Sequence, residues 1–189
     1  MAIRKILAFS LVVLGSLLLG INAASGRPGN EKPGSNSVSD DDLKTATVRL
    51  ERIGCYGSCP AYTLAVHGDG RVEYDGKNHV KEKGAREGHI ETEKVKTLLS
   101  EFVKDDFVTL PEDYPEAKCS RYCTDMATAI TELTLRGVTH RVKHYYGCGG
   151  LPKALFDLEV AVDKAVNVEQ WTGDVSKAGP FGTTCWNRN

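Results

Sequence analysis

Six cysteines constrain this chain more than any other feature, and all of them lie between residues 55 and 185. An even number of cysteines is typical of a disulfide framework when the chain is exported to an oxidising compartment. Two of them, Cys55 and Cys59, are separated by three residues and followed directly by Pro60. Such a motif is compatible with a disulfide, a metal clip or a redox centre. The compartment of the protein therefore decides which interpretation is favoured.

The N-terminus has the pattern of a secretory signal. Arg4 and Lys5 precede an almost unbroken apolar run, Ile6–Ile21, and small residues follow it. The run is shorter than the roughly 20 apolar residues that span a bilayer comfortably. We therefore predict that residues 1–24 are a cleaved signal peptide, that no stable membrane span remains, and that the protein is exported to the periplasm or the extracellular space. An uncleaved membrane anchor is the alternative.

Composition divides the rest of the chain. Without the signal, 22 basic and 25 acidic residues remain, a formal net charge of −3. A nucleic-acid partner is not expected, because such a surface requires a strong basic excess. Residues 25–42 are rich in Gly, Pro, Ser, Asn and Asp and predict a disordered linker. Residues 43–171 have the size of one domain, and we predict that residues 172–189 are a tail tethered by Cys185.

Alternating apolar residues predict strands in the first half of the domain. Ala46, Val48 and Leu50 alternate with polar residues, which is typical of a half-buried strand. A Gly-Asp-Gly turn at residues 68–70 predicts a hairpin. The strands that we expect after the first lie at Tyr62–Val66, at Val72–Tyr74 and near His79–Lys83.

The spacing of apolar residues then becomes helical. Thr92 is the predicted N-cap of a helix over about Glu93–Asp105. Two strands joined at Gly137 follow, and a second helix carries a stripe formed by Leu151, Leu155, Leu158 and Val162. Trp171 is expected to close the core. The order ββββ-α-ββ-α predicts an α+β fold, an antiparallel meander sheet with two packed helices that is stabilised by disulfides.

The chain must turn between Cys55 and Cys59 if their sulfurs are to meet, because residues four apart on a strand are separated by about 13 Å. A local bridge stabilises by about 2 kcal/mol, and a Cys59–Cys119 bridge by roughly twice that. The Cys-x-x-x-Cys-Pro spacing is similar to the copper-binding loop of the Sco family of thioredoxin-like proteins, over these residues alone. A strand and not a helix is predicted after Pro60, which removes the usual stabiliser of a reactive thiolate. A structural disulfide is favoured over a metal or redox role.

Cys119 and Cys123 repeat this spacing, so a four-thiolate zinc site is an alternative to disulfides. An oxidising compartment favours disulfides. A hairpin centred on Gly137 places Cys148 opposite Met126, closer to Cys123 than to Cys119. We therefore predict a Cys123–Cys148 bridge, which leaves a Cys119–Cys185 bridge to hold the tail.

The remaining candidates carry weaker signals. His140 and His144 lie about 13 Å apart on a strand, too far to bind one metal ion. The run Gly147–Gly150 precedes a helix and could cradle an anion, but a plain turn is favoured because the run lacks a phosphate-loop pattern. We recognise no catalytic residues and expect no cofactor. No metal site is predicted, and Cys55 and Cys59 are retained as metal ligands only under the alternative hypothesis.

The domain resembles a family of bacterial domains of unknown function with a Gly-Cys-Tyr/Phe-Gly-x-Cys-Pro-x-Tyr signature. The residues that carry the resemblance are Gly54, Cys55, Tyr56, Gly57, Cys59, Pro60, Tyr62, Gly68–Gly70, Asp106, Phe107, His144–Gly147 and Trp171. The resemblance implies an exported α+β module without an established activity, so no functional residue carries over. It also implies that Cys55 pairs with Cys59, because the signature pair occurs elsewhere in the family without the other four cysteines.

Two hypotheses about function follow. The favoured one is a non-catalytic, disulfide-stabilised exported module that binds an unknown protein or envelope component. The alternative is a protein that handles copper or zinc, or carries out thiol redox chemistry, with Cys55 and Cys59.

Overall fold

Six antiparallel strands form one sheet in the computed structural model, which describes residues 37–174. The spatial order of the strands is β4-β3-β2-β1-β5-β6. The helices and strands are α1 (Asp40–Leu43), β1 (Thr47–Ile53), β2 (Ala61–His67), β3 (Arg71–Asn78), β4 (Gly84–His89), α2 (Thr92–Lys104), β5 (Thr128–Leu135), β6 (Val138–Tyr145), α3 (Lys153–Ala165) and α4 (Glu169–Thr172). Short 3-10 helices span Phe107–Thr109 and Glu116–Lys118.

The predicted α+β fold and its order ββββ-α-ββ-α are confirmed, with two local corrections. The fourth strand was predicted near His79–Lys83 and is Gly84–His89 instead. His79 has a φ of 53°, and the amides of Lys81 and Glu82 donate to carbonyls of α4, so this stretch is a turn that holds α4. The N-cap of α2 is Glu91, and the predicted cap, Thr92, is the first residue of the helix.

The core lies between one face of the sheet and the helices α2 and α3. The period-two alternation of the strands places their apolar residues on this face. The buried apolar residues of β1, β2 and β5 that share it are Val48, Leu50, Tyr62, Leu64, Val66, Ala129, Leu133 and Leu135. The opposite face, which we call the open face, carries mostly charged residues and threonine, as is common in antiparallel sheets.

Aromatic contacts close both sides of the core. Trp171 is buried and stacks on Tyr74 with ring centroids 5.0 Å apart, which confirms that it belongs to the core. On the other side, Phe107 is fully buried and packs edge-on against Phe102 at 5.0 Å. Asp106, with a φ of 47°, turns the chain there after α2 ends. Both ends of the helical layer are therefore tied to the sheet by large side chains.

Secondary structure begins within the segment that was assigned to the linker. Ser39 caps α1 in a reciprocal capping box with Asp42. Arg136, in the two-residue turn between β5 and β6, donates to both carboxylate oxygens of Asp42 at 3.0 and 2.9 Å. This hydrogen bonding lowers the pKa of Asp42 from its usual value. Residues 37–43 are thus attached to the domain.

The predicted signal, most of the predicted linker and residues 175–189 lie outside the described residues. None of the helices within residues 37–174 combines the length and the hydrophobicity of a membrane-spanning segment.

Candidate functional site

The described disulfides gather at one end of the sheet. This region, which we call the cysteine end, consists of the loop Gly54–Pro60, the segment 119–126 and the turn Gly147–Gly150. These stretches follow the last residues of β1 and β6 or precede the first residues of β2 and β5. Because antiparallel strands alternate in direction, all these chain ends meet at the same edge.

Cys55 and Cys59 are bonded to each other, and their Cα atoms lie 5.5 Å apart. The pairing that the family resemblance implied is therefore confirmed, and so is the turn between the two cysteines. A strand begins at Ala61 directly after Pro60, as predicted. The loop is also held by a backbone hydrogen bond from the Tyr56 amide to the Asp125 carbonyl at 3.1 Å. Its tip presents the side chain of Tyr56, which is 89% exposed.

The predicted Cys123–Cys148 and Cys119–Cys185 bridges are wrong, because Cys119 is bonded to Cys148 with Cα atoms 5.0 Å apart. The hairpin register pairs Thr128 with Tyr145, but Cys148 pairs with Tyr122. The chain therefore takes six residues from Tyr122 to Thr128 but only three from Tyr145 to Cys148. The additional residues loop out at 123–126, and we call this segment the excursion. This excursion brings Cys119 to the position at which Cys123 was expected. Local sequence spacing does not reveal it.

The hydroxyl of Tyr145 closes the excursion. It donates to the Cys123 carbonyl at 2.7 Å and accepts from the Met126 amide at 3.2 Å. Cys123 also takes part in a disulfide, and Cys185 lies outside the described residues. A zinc site with four thiolates at Cys55, Cys59, Cys119 and Cys123 is incompatible with these bonds, because a disulfide sulfur is not a thiolate ligand.

Gly147 is required for the close approach of the excursion to β6. A Cβ atom at this position would lie 2.1 Å from the Cys123 carbonyl oxygen. We expect Gly147→Ala to lower the free energy of unfolding by about 1–3 kcal/mol, since the backbone must shift. Gly54→Ala is the matched control at the same end, because its nearest neighbour would be at 3.8 Å. Urea unfolding of both variants tests this, and equal losses would contradict it.

A buried polar cluster lies directly beneath the cysteine end. Arg52 on β1 is 2% exposed, and its Nη2 donates to the Asp163 carboxylate on α3 at 2.6 Å. Its Nη1 donates to the Tyr146 hydroxyl, which in turn donates to Glu159. Tyr62 donates to the other oxygen of Asp163 at 2.8 Å. The cluster thus connects the last turns of α3 with the strand that leads into the Cys55–Cys59 loop.

His144 completes the cluster, with Nδ1 2.8 Å from the second carboxylate oxygen of Glu159. Glu159 is fully buried, and the Arg52 Nη1 lies 3.5 Å from its Oε2. Glu159 and Asp163, the two carboxylates of the cluster, therefore each have a cationic or hydrogen-bonding partner. Such pairing is what allows charged groups to remain in a core.

The protonation of the cluster is governed by burial and by the charges within it. Burial lowers the pKa of Arg52, but the Asp163 carboxylate and the surrounding acidic groups outweigh it, so that the pKa of the guanidinium is raised. Burial also raises the pKa of the Tyr146 and Tyr62 hydroxyls well above their usual values, although the Arg52 charge opposes this. Arg52 therefore stays charged and both tyrosines stay neutral in the folded protein.

These raised tyrosine pKa values predict a loss of stability in alkaline solution. Above pH 10 the unfolded chain releases tyrosine protons that the folded protein keeps, so stability falls as the pH rises, by about 1.4 kcal/mol per pH unit for each such tyrosine. We expect Tyr146→Phe to reduce this slope between pH 10 and 11.5. Tyr56→Phe, at an exposed position, is expected to leave it unchanged. Urea unfolding as a function of pH measures both slopes, and identical slopes would contradict the prediction.

The histidines and the glycine-rich turn have separate roles. His140 Nε2 lies 2.9 Å from the Leu110 carbonyl and packs against Phe107, whereas His144 faces Glu159. Within residues 37–174 no group of three His, Cys, Asp or Glu side chains is placed to hold a metal ion. In the turn, the Cys148 and Gly149 amides donate to protein carbonyls at 3.0 and 2.8 Å, so they are not free to cradle an anion.

Comparison with known proteins places the chain in a family. A family model described as a domain of unknown function (DUF6438) matches residues 46–166. The chain belongs to the DUF6438 family. The match begins just before β1 and ends just after α3, so that the DUF6438 domain includes the sheet, the cysteine end and the buried polar cluster. No curated protein matches the chain.

The sequence analysis of the DUF6438 domain did not identify Arg52, Glu159 or Asp163 as members of a buried cluster, although their positions in the sequence indicate it. Arg52 continues the inward-facing series of β1 after Val48 and Leu50, where an apolar residue is the default. On α3, Glu159 and Asp163 are four residues apart, so they share a helix face. A cation on the core face of a strand, with two carboxylates on one face of a later helix, predicts such a buried pairing.

Proposed function

We propose that the protein is an exported, non-catalytic binding module and that its cysteine end is the surface that contacts a partner. The observation that carries this proposal is Tyr56, which is 89% exposed at the tip of a loop closed by a disulfide. Export is supported by the signal pattern of residues 1–24 and by disulfide bonding, which is typical of proteins outside the reducing cytoplasm.

The loop suits recognition because its conformation is restrained before binding. The disulfide closes it, and the hydrogen bond from the Tyr56 amide to Asp125 anchors it to the neighbouring segment. A tyrosine loses little conformational entropy on binding and offers both an apolar ring and a hydroxyl, and tyrosines are enriched among the residues that dominate interfaces. A restrained loop with an exposed tyrosine therefore favours protein binding over a purely structural turn.

The chemistry of the titratable residues supports a non-catalytic role. Arg52, Glu159, His144 and Tyr146 are each at most 6% exposed, and their polar groups pair mainly with one another. A general acid or base must reach the proton that it transfers. These groups are enclosed and mutually neutralised, which is the arrangement of a structural network.

Site-specific photocrosslinking tests the binding role. We expect a benzoylphenylalanine residue at position 56 to give a discrete crosslinked product when the full chain is produced in its native cells and irradiated. The control is the same residue at position 138, because Val138 is 54% exposed and lies at the opposite end of the sheet. Equal products at both positions, or none at position 56, would refute the proposal.

A thiol-redox or metal-handling role for Cys55 and Cys59 is the second candidate. Cys55 and Cys59 are both partly buried, whereas in the other bridge Cys119 is partly buried and Cys148 is only 4% exposed. Of these two bridges, Cys55–Cys59 is therefore the one in which both cysteines are accessible to a reductant or a metal. Intact-mass measurement after anaerobic purification and alkylation distinguishes the candidates. Two alkylated thiols, or stoichiometric copper or zinc that is lost in Cys55→Ser, would favour this role. A fully bridged, metal-free chain supports the binding module.

A further inference from the structure

We infer that the outer side of the helical layer, formed by α2 and α3, is a dimer interface whose occupant is a second copy of this chain. A two-fold axis relates the two copies. The groove between the helices that forms this interface does not include Tyr56, so the interface is independent of the binding role proposed above. Three properties point to it: the apolar floor of the groove, the charges at its two ends and their spacing along each helix.

The groove between α2 and α3 has a volume of about 740 Å³. Its floor is apolar and is formed by Leu98, Phe156, Val160, Ala161 and Ala165. Of the thirteen residues of α3, only Lys153, Asp157 and Lys164 are exposed. The outer side of a surface helix is normally polar along its whole length. The apolar floor therefore indicates that this side of α3 is covered by a partner.

The two helices run in opposite directions. α2 begins on the β3–β4 side of the sheet, where the Ile90 amide donates to the Gly70 carbonyl, and ends near β6, where Phe107 packs against His140 at 5.6 Å. α3 begins after β6 and runs back toward β1 and β2, from which Asp163 accepts hydrogen bonds. The first turn of α2 therefore lies beside the last turn of α3.

The charges along the groove are arranged so that its two ends are complementary. On α2 a lysine, Lys94, comes seven residues before an acid, Glu101, whereas on α3 an acid, Asp157, comes seven residues before a lysine, Lys164. Because the helices are antiparallel, both lysines lie at one end of the groove and both carboxylates lie at the other. Seven residues are two helical turns, about 10.5 Å, so the two charges of each helix share one side of it.

These charged groups are available to a partner. Among residues 37–174, no ion pair is formed by Lys94, Lys164 or Glu101. Asp157 is paired with Lys153, which is 84% exposed and lies four residues earlier on α3. Such an exposed pair within one helix contributes only about 0.3–0.5 kcal/mol. Asp157 can therefore turn to a second cation at little cost.

A two-fold axis in the plane of the helical layer and perpendicular to the groove places the basic end of one copy on the acidic end of the other. Lys94 then faces Glu101 of the second copy, Lys164 faces Asp157 of the second copy, and both contacts occur twice. On each helix the axis falls midway between the two charges, at residues 97–98 and 160–161, and these residues line the same groove. One axis therefore satisfies all four charge pairs and brings the two apolar floors together.

The size of this face is compatible with a reversible dimer. Helices of thirteen residues are about 20 Å long, and two of them side by side are about 20 Å wide, a footprint of about 400 Å² per copy. Standard specific interfaces bury about 800 Å² of accessible surface per partner, so this contact is a small one. We therefore expect a dissociation constant in the micromolar range and not a permanent dimer.

Analytical ultracentrifugation of the oxidised protein purified from its native cells tests the interface. We expect a monomer–dimer equilibrium within about 1–500 µM. Lys94→Glu/Lys164→Glu places acids against acids and is expected to weaken the dimer at least about tenfold. Lys83→Glu/Lys104→Glu is the matched control, because it changes the net charge equally at exposed positions outside the groove. It is expected to leave the dissociation constant unchanged.

A fourfold charge exchange separates the proposed axis from a general effect of charge. In Lys94→Glu/Glu101→Lys/Asp157→Lys/Lys164→Glu every pair across the axis is again of opposite sign. We expect its dissociation constant to return to within about threefold of that of the unaltered protein. A variant that folds with unaltered stability to urea and does not regain association would overturn the proposed axis.

Carbodiimide crosslinking identifies the contacts without any substitution. In a mixture of unlabelled and isotope-labelled protein, we expect isotopically mixed crosslinks that join Lys94 to Glu101 and Lys164 to Asp157. A protein that is monomeric throughout the concentration range, or a dimer whose crosslinks all lie outside the groove, would show that α2 and α3 are not the interface. Neither result bears on crosslinking from position 56, so the binding proposal is judged separately.

Discussion

Replacement of Arg52 by leucine is expected to lower the free energy of unfolding by about 3–5 kcal/mol, the largest effect that we predict for a single substitution. Arg52 is 2% exposed and is the guanidinium that pairs with Asp163 and contacts Glu159. Its removal leaves two carboxylates in the core with too few partners, and an uncompensated buried charge is far more costly than the loss of one hydrogen bond. Urea unfolding with the disulfides intact measures the change.

Arg49→Leu is the matched control for this prediction. Arg49 lies on the same strand three residues earlier and is exposed on the open face, so we expect a change within about 0.5 kcal/mol. A combined Arg52→Leu/Glu159→Gln/Asp163→Asn variant should recover part of the loss, because it removes the unpaired charges together. Arg52→Leu with a loss no greater than that of Arg49→Leu would show that the cluster contributes little to stability.

Removal of the Cys119–Cys148 disulfide is expected to lower the free energy of unfolding by about 3–4 kcal/mol, whereas removal of the Cys55–Cys59 disulfide is expected to lower it by about 2 kcal/mol. The reason is loop length, because the first bridge joins residues 29 apart and the second joins residues only 4 apart. A longer loop restricts the unfolded chain more strongly. Paired alanine variants, Cys119→Ala/Cys148→Ala and Cys55→Ala/Cys59→Ala, compared by urea unfolding, measure the difference.

The critical result is which of the two paired variants loses more free energy of unfolding. If Cys55→Ala/Cys59→Ala destabilises more than Cys119→Ala/Cys148→Ala, the short bridge makes folded-state contributions beyond loop closure. The Cys55–Cys59 loop would then be part of the structural core of the domain. If the order is as predicted, the short bridge serves mainly to shape the loop that presents Tyr56.

Much of the fold could be predicted because its signals are local. Alternation places Val48 and Leu50 on one face of β1, and helical spacing places Leu98 and Phe102 on the buried side of α2. The Cys55–Cys59 turn also follows from local geometry, since the two sulfurs meet only if the chain folds back between them. These features depend on residues within a few positions of one another.

The wrong assignments share a different origin. The position of β4 depends on the hydrogen bonds that Lys81 and Glu82 make with α4, about 90 residues later in the chain. The pairing of Cys119 depends on the excursion at residues 123–126, which is closed by hydrogen bonds of the Tyr145 hydroxyl. The Asp125 carbonyl of this excursion also accepts a hydrogen bond from the Tyr56 amide in the Cys55–Cys59 loop. Contacts of this kind leave no periodic trace in the sequence.

Local patterns in the chain were therefore enough to predict the α+β order, the inward face of each main element and the strand after Pro60, and the family resemblance added the Cys55–Cys59 pair. The pairing of distant groups became visible only in the folded molecule. The tertiary structure joined Arg52 to Asp163 and Glu159, bonded Cys119 to Cys148 and assembled the cysteine end from chain ends that are up to about 90 residues apart. The physical reason is that periodicity reports which side of an element is buried, whereas partners across the core are selected only when charge, shape and register are satisfied together.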